Sequence, residues 1–426
     1  MKPIIKYGST RVTRGRENKV DILLEIEAPA APTSERQPLD VVAVIDRSGS
    51  MSGDPLQSVL RAVAQLLRLA DKDDRVGVVV FDDQVETIVP LESHDDIDAM
   101  IRRIMGVQSG GMTNLSGGWL RAKSMLEESG RPQALKRIIV LTDGHANVGL
   151  STVDAFGPAV VTGRVAGITT SCIGFADGYD EEFLAGVADA GSGNDYFCAG
   201  PDQAMAVFAD EFNGLASVVA QNLDVVVTLA GTTRKVKVRH DFPVEKIDDR
   251  RTRILLGDSY GGETRKVLLT WKCNPREALG PVELGEITVN WVSVIGEPVS
   301  HSITTAVSVD VVEDATVGPD PGASPEVHRM AELMRAERAR REARRAADAG
   351  DFRNAAAYFV VAQEGFSSLG MAAESRVVAD DIDMLRSNSW SRLNSKRAFS
   401  RGRSNSKGRK SSYDPSIDDQ SDDDTI

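Results

Sequence analysis

The residues best suited to chemistry fall in three short segments. Asp46-Arg47-Ser48-Gly49-Ser50 carries a carboxylate and two hydroxyls on alternate residues, so a tight loop can aim three oxygens at one point. Gly49 lets the backbone turn sharply between them. Ser109-Gly110-Gly111-Met112-Thr113-Asn114 is a glycine-rich loop bearing a threonine hydroxyl, and Leu141-Thr142-Asp143-Gly144 supplies a second carboxylate. Asp46 and Asp143 with Ser48, Ser50 and Thr113 form an all-oxygen donor set that needs neither sulfur nor imidazole. Such a set suits magnesium, manganese or calcium, and not zinc or copper. With two carboxylates and neutral hydroxyls it leaves room for water, which favours Mg2+, with Mn2+ or Ca2+ as alternatives. Two carboxylates converging on one edge repel each other, and a bound cation relieves that repulsion.

These segments need a scaffold that brings them to one edge. From Leu39 to about Ala220, short apolar runs alternate with longer amphipathic ones. LDVVAVID, RVGVVVF, RIIVLTD, ITTSCIGF and DYFCA read as strands. Pro55–Ala70 places Leu56, Val59, Leu60, Val63, Leu66 and Leu67 at helical spacing, and PDQAMAVFADEFNGLASVVA reads as a final long helix. Strands and helices of these lengths in alternation predict an α/β domain with a parallel sheet covered on both faces. In such sheets ligands sit outside the carboxyl ends of the strands, where Asp46 and Asp143 fall.

The rest of the 426-residue chain divides by composition. Residues 1–37 hold alternating strands expected to join a β-sandwich at 221–313, so that the α/β domain of 38–220 is an insertion between parts of one sandwich. A Pro/Gly-rich linker at 314–324 leads to a helical segment at 325–386, read as an antiparallel hairpin or short bundle. Residues 387–426 are Ser/Arg-rich and then Asp-rich, and are expected to be a disordered charged tail.

The motif Asp46-x-Ser48-x-Ser50 with Thr113 and Asp143 resembles the metal-ion-dependent adhesion site of von Willebrand factor A domains, over about Leu39–Ala220. The resemblance implies a Rossmann-like fold. It implies that Ser48, Ser50 and Thr113 ligate the metal directly, while Asp46 and Asp143 balance charge or act through water. It also implies an open coordination position for a partner protein's Asp or Glu carboxylate, and work as a scaffold or adaptor in a larger assembly, an AAA+ ATPase being one partner of that kind. The order of regions is similar to bacterial proteins of inter-alpha-trypsin-inhibitor-like and calcium-activated chloride channel-like architecture. The channel label is a name only, because no apolar run of about 18 residues occurs.

Competing readings follow from the same residues. Ser50, Asp54 or Thr113 could simply cap helices. A metal-dependent hydrolase activating water is the alternative function, though no general base stands near the motif and no GxxxxGK[ST] phosphate loop occurs. We therefore expect a binding module and not an enzyme. His145 reads as an exposed loop residue, and His94, His240, His301 and His328 show no ligand spacing. Asp82 and Asp83 read as a solvated loop, and the basic run Arg335–Arg345 as a solvated face. Trp119, Trp271 and Trp291 read as core. Cys172, Cys198 and Cys273 form no CxxC pair and read as buried apolar residues. A net charge of −13 argues against nucleic acid as a partner of the folded part, weak contact through the basic tail aside. The first residues hold no apolar stretch of signal-peptide length, so the expected compartment is the cytoplasm.

Overall fold

The computed structural model describes residues 1–31, 37–92, 96–175, 178–198 and 201–408. His94 and residues 409–426 of the expected tail lie outside them.

Three strands come first: β1 (Lys2–Tyr7), β2 (Arg11–Thr13) and β3 (Asn18–Glu27). The α/β domain follows with β4 (Leu39–Asp46), α1 (Asp54–Leu69), β5 (Arg75–Phe81), β6 (Val85–Val89), α2 (Ile97–Met105) and α3 (Leu115–Glu128). It continues through β7 (Leu135–Thr142), α4 (Val153–Val165), β8 (Ile168–Phe175), α5 (Glu181–Ala190), β9 (Ser192–Cys198) and α6 (Pro201–Leu215). The sheet order is β6-β5-β4-β7-β8-β9. β5, β4, β7, β8 and β9 run parallel, and the residues of the first four are buried nearly throughout. Two apolar cores flank the sheet. One packs α1 through Leu56, Val59, Leu60 and Val63, and the other packs α3 and α4 around Trp119 and Phe156. Trp119 meets Phe156 edge-on at 5.4 Å and donates its Nε1–H to Thr170 Oγ1 at 3.0 Å, so the ring is buried without an unsatisfied polar atom.

The sheet is mixed, not purely parallel. β6 pairs antiparallel with β5. The cause is local: Asp82 Oδ1 accepts from Gln84 N at 2.7 Å, an Asx turn that folds the chain straight back. The last helix also ends earlier than its sequence suggests. At Ser217 both backbone N–H and hydroxyl donate to Gly214 O, each at 2.9 Å, and the β-branched Val218-Val219 begin a strand instead. That strand is β10 (Val218–Leu229).

The β domain adds β11 (Thr233–Val238), β12 (Val244–Lys246), β13 (Arg251–Tyr260), β14 (Thr264–Cys273), β15 (Gly280–Ser293) and β16 (Val299–Val312). One sheet runs β1-β3-β14-β11 and the other β12-β13-β10-β15-β16-β2. β3 enters by pairing antiparallel with β14 over their whole lengths, Asn18↔Cys273 to Glu27↔Thr264. Between the sheets lies an apolar core with Ile22, Leu24, Val225, Trp271 and Trp291. Val218 and Val294 of this domain sit in the α/β core, which joins the two units across a dry contact.

The C-terminal region holds four helices, the first three in the segment read as a hairpin or short bundle: α7 (Pro325–Asp348), α8 (Phe352–Ser368), α9 (Ala372–Arg386) and α10 (Arg392–Lys407). Two expectations are corrected here. Residues 392–407 form a capped helix and not a disordered tail, because their basic side chains find carboxylates on the α/β domain. Arg403 bonds Asp189 and Asp195 at 2.8 Å, Lys407 bonds Asp189 at 2.6 Å and Lys396 bonds Glu181 at 2.9 Å. The basic run on α7 is also not wholly solvated: Arg340 and Arg344 are buried, paired with Glu337 at 2.7 Å and Glu182 at 2.8 Å. Charge that looks like a tail in sequence is here an ionic seam between domains. Among the described residues no helix is long and apolar enough to cross a membrane.

Candidate metal centre

β4 delivers Asp46 to the carboxyl edge of the sheet, beside the end of β7 that delivers Asp143. Past β4 the chain closes on itself: Asp46 Oδ1 accepts from Ser48 N at 2.8 Å, and Gly49–Met51 form a single 3-10 turn. Two backbone bonds stitch this turn to the glycine-rich loop, Gly110 N to Arg47 O at 2.7 Å and Gly49 N to Gly111 O at 3.2 Å. Gly110 and Gly111 are required there. A Cβ on Gly110 would lie 2.5 Å from Asp82 Oδ2, and one on Gly111 only 1.6 Å from Asp83 Oδ1. Thr113 is held from behind, its N–H donating to Asn147 Oδ1 at 2.8 Å while its carbonyl accepts from Asn147 N and Val148 N at 3.2 Å.

The structure brings all five proposed donors together. Ser48 and Ser50 hydroxyls lie 3.2 Å apart, and Ser50 Oγ donates to Asp143 Oδ1 at 2.7 Å. A Cβ on Gly144 would stand 3.4 Å from Thr113 Oγ1, 3.5 Å from Ser50 Oγ and 3.7 Å from Asp46 Oδ2. Beside glycine 144, in the third segment, oxygens from the other two segments therefore converge on one point. Asp46, Ser48, Thr113 and Asp143 are buried while Ser50 is exposed, so the cluster has a dry base and a wet mouth.

Electrostatics match that geometry. Burial pushes Asp46 up to about 6, against hydrogen bonds from Thr142 and Ser48, and nearby Asp143 adds to the rise. Burial also raises Asp143, opposed by Ser50. The motif's own cation does not compensate them: Arg47 is bonded to Asp82 at 3.1 Å and Glu86 at 3.0 Å. Holding Asp46 ionised at neutral pH therefore costs about 3 kcal/mol, a cost that a cation among these oxygens would offset. Among the described residues no cluster of three or more His, Cys, Asp or Glu could hold a metal. Two carboxylates and three hydroxyls are oxygen donors of the kind a hard divalent ion takes.

Helix capping does not explain these residues. Gly53 precedes α1 at the N-cap, with Asp54 inside the first turn, and α3 is capped by Asn114, which accepts from Gly117 N. Asp82 is not a solvated loop residue: it is buried, accepts from Arg47, and its carbonyl accepts from Asn114 N at 2.9 Å. His145 is exposed at the mouth. All three cysteines are free and buried. Two contributors escape a reading by spacing. Thr142 donates to Asp46 Oδ2 at 2.5 Å, and its only signal is its place before Asp143 at a strand end. Asn147 acts through its side-chain carbonyl on a backbone N–H, for which no sequence signal exists.

Known proteins place this arrangement. The family model of the von Willebrand factor type A domain matches residues 40–220. A von Willebrand factor type A protein from Catenulispora acidiphila superposes with a TM-score of 0.70 at 16% identity, covering 88% of each chain. The ArnB paralog VWA2 from Sulfolobus acidocaldarius does so with a TM-score of 0.64 at 16% identity, over 95% of this chain and 98% of that one. At such identities the likeness shows the fold. Inter-alpha-trypsin inhibitor heavy chain H3 of Bos taurus is 32% identical over 160 residues, 35% of this chain and 18% of its own length. An uncharacterized protein of Synechocystis is 26% identical over 210 residues, 49% of each. The chain thus spans about half, or less than a fifth, of these curated relatives. Domains of this family are typically metal-dependent modules of protein interaction. Residues 40–220 thus match the von Willebrand factor type A domain, and the chain carries a domain of that kind.

Proposed function

We propose that Asp46, Ser48, Ser50, Thr113 and Asp143 hold a hard divalent cation, magnesium before manganese or calcium. The protein uses it to bind a partner protein through an aspartate or glutamate carboxylate. One observation carries this reading: oxygens of Asp46, Ser50 and Thr113 converge within 3.7 Å of one open point beside Gly144. Among the described residues neither carboxylate of the site has an ion-pair partner of its own. The cation supplies a positive centre that a partner's carboxylate oxygen can join. The chain's residues do the rest. Thr142 orients Asp46, the Asn147 side chain sets the Thr113 backbone, and the buried base excludes water beneath the donors. Around the mouth, exposed Met112 and Leu150 offer apolar contact beside the charged one. The role is that of an adaptor in a cytoplasmic assembly, an AAA+ ATPase among its candidate partners; in this reading no covalent step follows capture.

The experiment is calorimetric titration of the chelated full chain with MgCl2, MnCl2 and CaCl2, followed by partner capture in magnesium and in EDTA. Wild type binds one ion per chain, and Asp46→Ala and Thr113→Ala bind none while keeping native circular dichroism. Equal recovery of the same partner in magnesium and EDTA would remove the metal from the mechanism.

A further inference from the structure

One sheet of the β domain ends in a strand with an open edge. β16 is paired with β15 along its length, from Gly280↔Val311 to Ser293↔Val299. On its other side β2 reaches only Asp310–Val312. Among the described residues no backbone partner meets the outer edge of residues 299–307, and residues 299–306 are exposed. Such an edge is a row of N–H and C=O groups ready to pair with another strand. Proteins that need to stay apart block it with charge or proline. From Val299 to Val309 the strand reads VSHSITTAVSV, with no charged residue and no proline.

The same stretch is partly symmetric in residue type about Ile303, with valine at both ends and hydroxyl residues on either side of the centre. Counting outward, Ser302 matches Thr304 and Val299 matches Val307, while His301 meets Thr305 and Ser300 meets Ala306, uncharged pairs of similar bulk only in the second case. An antiparallel pair of two identical strands centred on one residue sets these positions opposite each other. Val299 then faces Val307, Ile303 faces its own copy and Ser302 faces Thr304, with no like charges opposed. Ile303 and Val299, 37% and 50% exposed, would each gain an apolar neighbour. A partner of another sequence has no reason to match this symmetry.

We propose that β16 pairs antiparallel with β16 of a second copy of this chain, about a two-fold axis through Ile303, joining the two six-stranded sheets into one. The contact is a strand edge about 30 Å long, so the dimer is modest and depends on concentration. Each copy carries a net charge of −13, so added salt screens the repulsion between bodies and favours the dimer. The inference is independent of the metal. Its consequence for that reading is that a dimer presents two copies of the site, and a partner offering two carboxylates gains by avidity.

The test is sedimentation velocity of the full chain over a concentration series, with Ile303→Lys and two cysteine variants. Wild type passes from monomer to dimer as concentration rises, and at lower concentration in high salt. Ile303→Lys sets two lysines opposite each other and stays monomeric. Under mild oxidation Ile303→Cys cross-links to a covalent dimer, since facing residues hold their Cβ atoms about 5 Å apart. Ser300→Cys does not, because its copies lie about 20 Å apart in this register. The native cysteines are buried and do not compete. A wild-type chain that is monomeric at every concentration and salt overturns the proposal. So does a dimer in which the cysteines at 300 and 303 cross-link equally. Should Ile303→Lys fail to fold, the two cysteine variants decide the register.

Discussion

Carboxylates meet two opposite fates in this molecule. At the seam between the α/β domain, the β domain and the C-terminal helices, each buried acid has a cation built into the chain. Burial alone would raise Glu211, but Arg137 at 3.7 Å, with Ser171, Tyr196 and Asn194, holds it below the usual range. Burial would likewise raise Glu181, yet Lys396 and Arg344 bring it down. At the ends of β4 and β7 the same chemistry is left open. Asp46 is as buried as Glu211, but its partners are hydroxyls and a backbone amide, and it rises to about 6. The seam closes its charges internally and so acts as structure. Among the described residues the strand-end cluster has no such cation, and that contrast marks it as a candidate site.

The sharpest way to break the comparison is to give the seam the site's problem. Arg137→Met removes the guanidinium that lies 3.7 Å from buried Glu211 and 2.7 Å from buried Asp258. We expect a loss of 3–5 kcal/mol, about what removing one partner of a buried pair costs. Urea denaturation measures it; a loss under 1 kcal/mol would mean that the seam's acids do not need their cations.

Next comes pH. His240 is buried where α10 meets the β domain, its Nδ1 against Ser406 O, with Asp241 bonded to Arg341 beside it. Burial lowers it from 6.5 to about 4, against the Ser406 hydrogen bond. Between these values the unfolded chain takes up a proton that the folded one refuses. Stability present above pH 6.5 is therefore lost as pH falls toward 4, by up to about 3 kcal/mol. His240→Gln should flatten that part of the stability curve. Parallel curves for the two proteins would dismiss His240 as the cause.

At the site the comparison inverts. MgCl2 at a hundred times its dissociation constant should stabilise wild type by about 2.7 kcal/mol. Asp46→Asn should be at least as stable as metal-free wild type and indifferent to magnesium, because a neutral amide removes the uncompensated charge. A thermal melt with and without EDTA reads both, and an Asp46→Asn protein that still responds to magnesium contradicts the assignment. The smallest effect is a control. Asn114→Ala removes the cap of α3 next to Thr113 and should cost about 1 kcal/mol. Its magnesium response should survive, since the cap is not a donor; loss of that response would show that Asn114 helps to build the site.

Much of this was legible in one dimension, and the limits have physical reasons. LDVVAVID and RIIVLTD must be buried strands, because unbroken β-branched runs ending in a polar residue fit little else, and that alone sets Asp46 and Asp143 at carboxyl ends. The alternation of Ser48, Gly49 and Ser50 marks a turn that concentrates oxygens. Charge read as local solvation misled, however. The arginines of α7 and α10 have the composition of solvated helix and tail, and nothing nearby in sequence shows that Glu182, Asp189 and Asp195 will face them, more than 160 residues away in the chain. Asp82 and Asn147 escaped for a related reason, since their roles are hydrogen bonds to backbone atoms of other loops.

What the sequence determined by itself is the local part: which segments are strands, which oxygens sit at their ends, and the hard-ion character of the donors, all following from residue type and period. What only the tertiary structure decided is which charges remain unpaired. It took β3 into a sheet with β14, folded α10 against α5 and β9, and left Asp46 and Asp143 without a cation among the described residues. Pairing depends on distance in space, and a chain of 426 residues carries no local record of which distant carboxylate will meet which arginine.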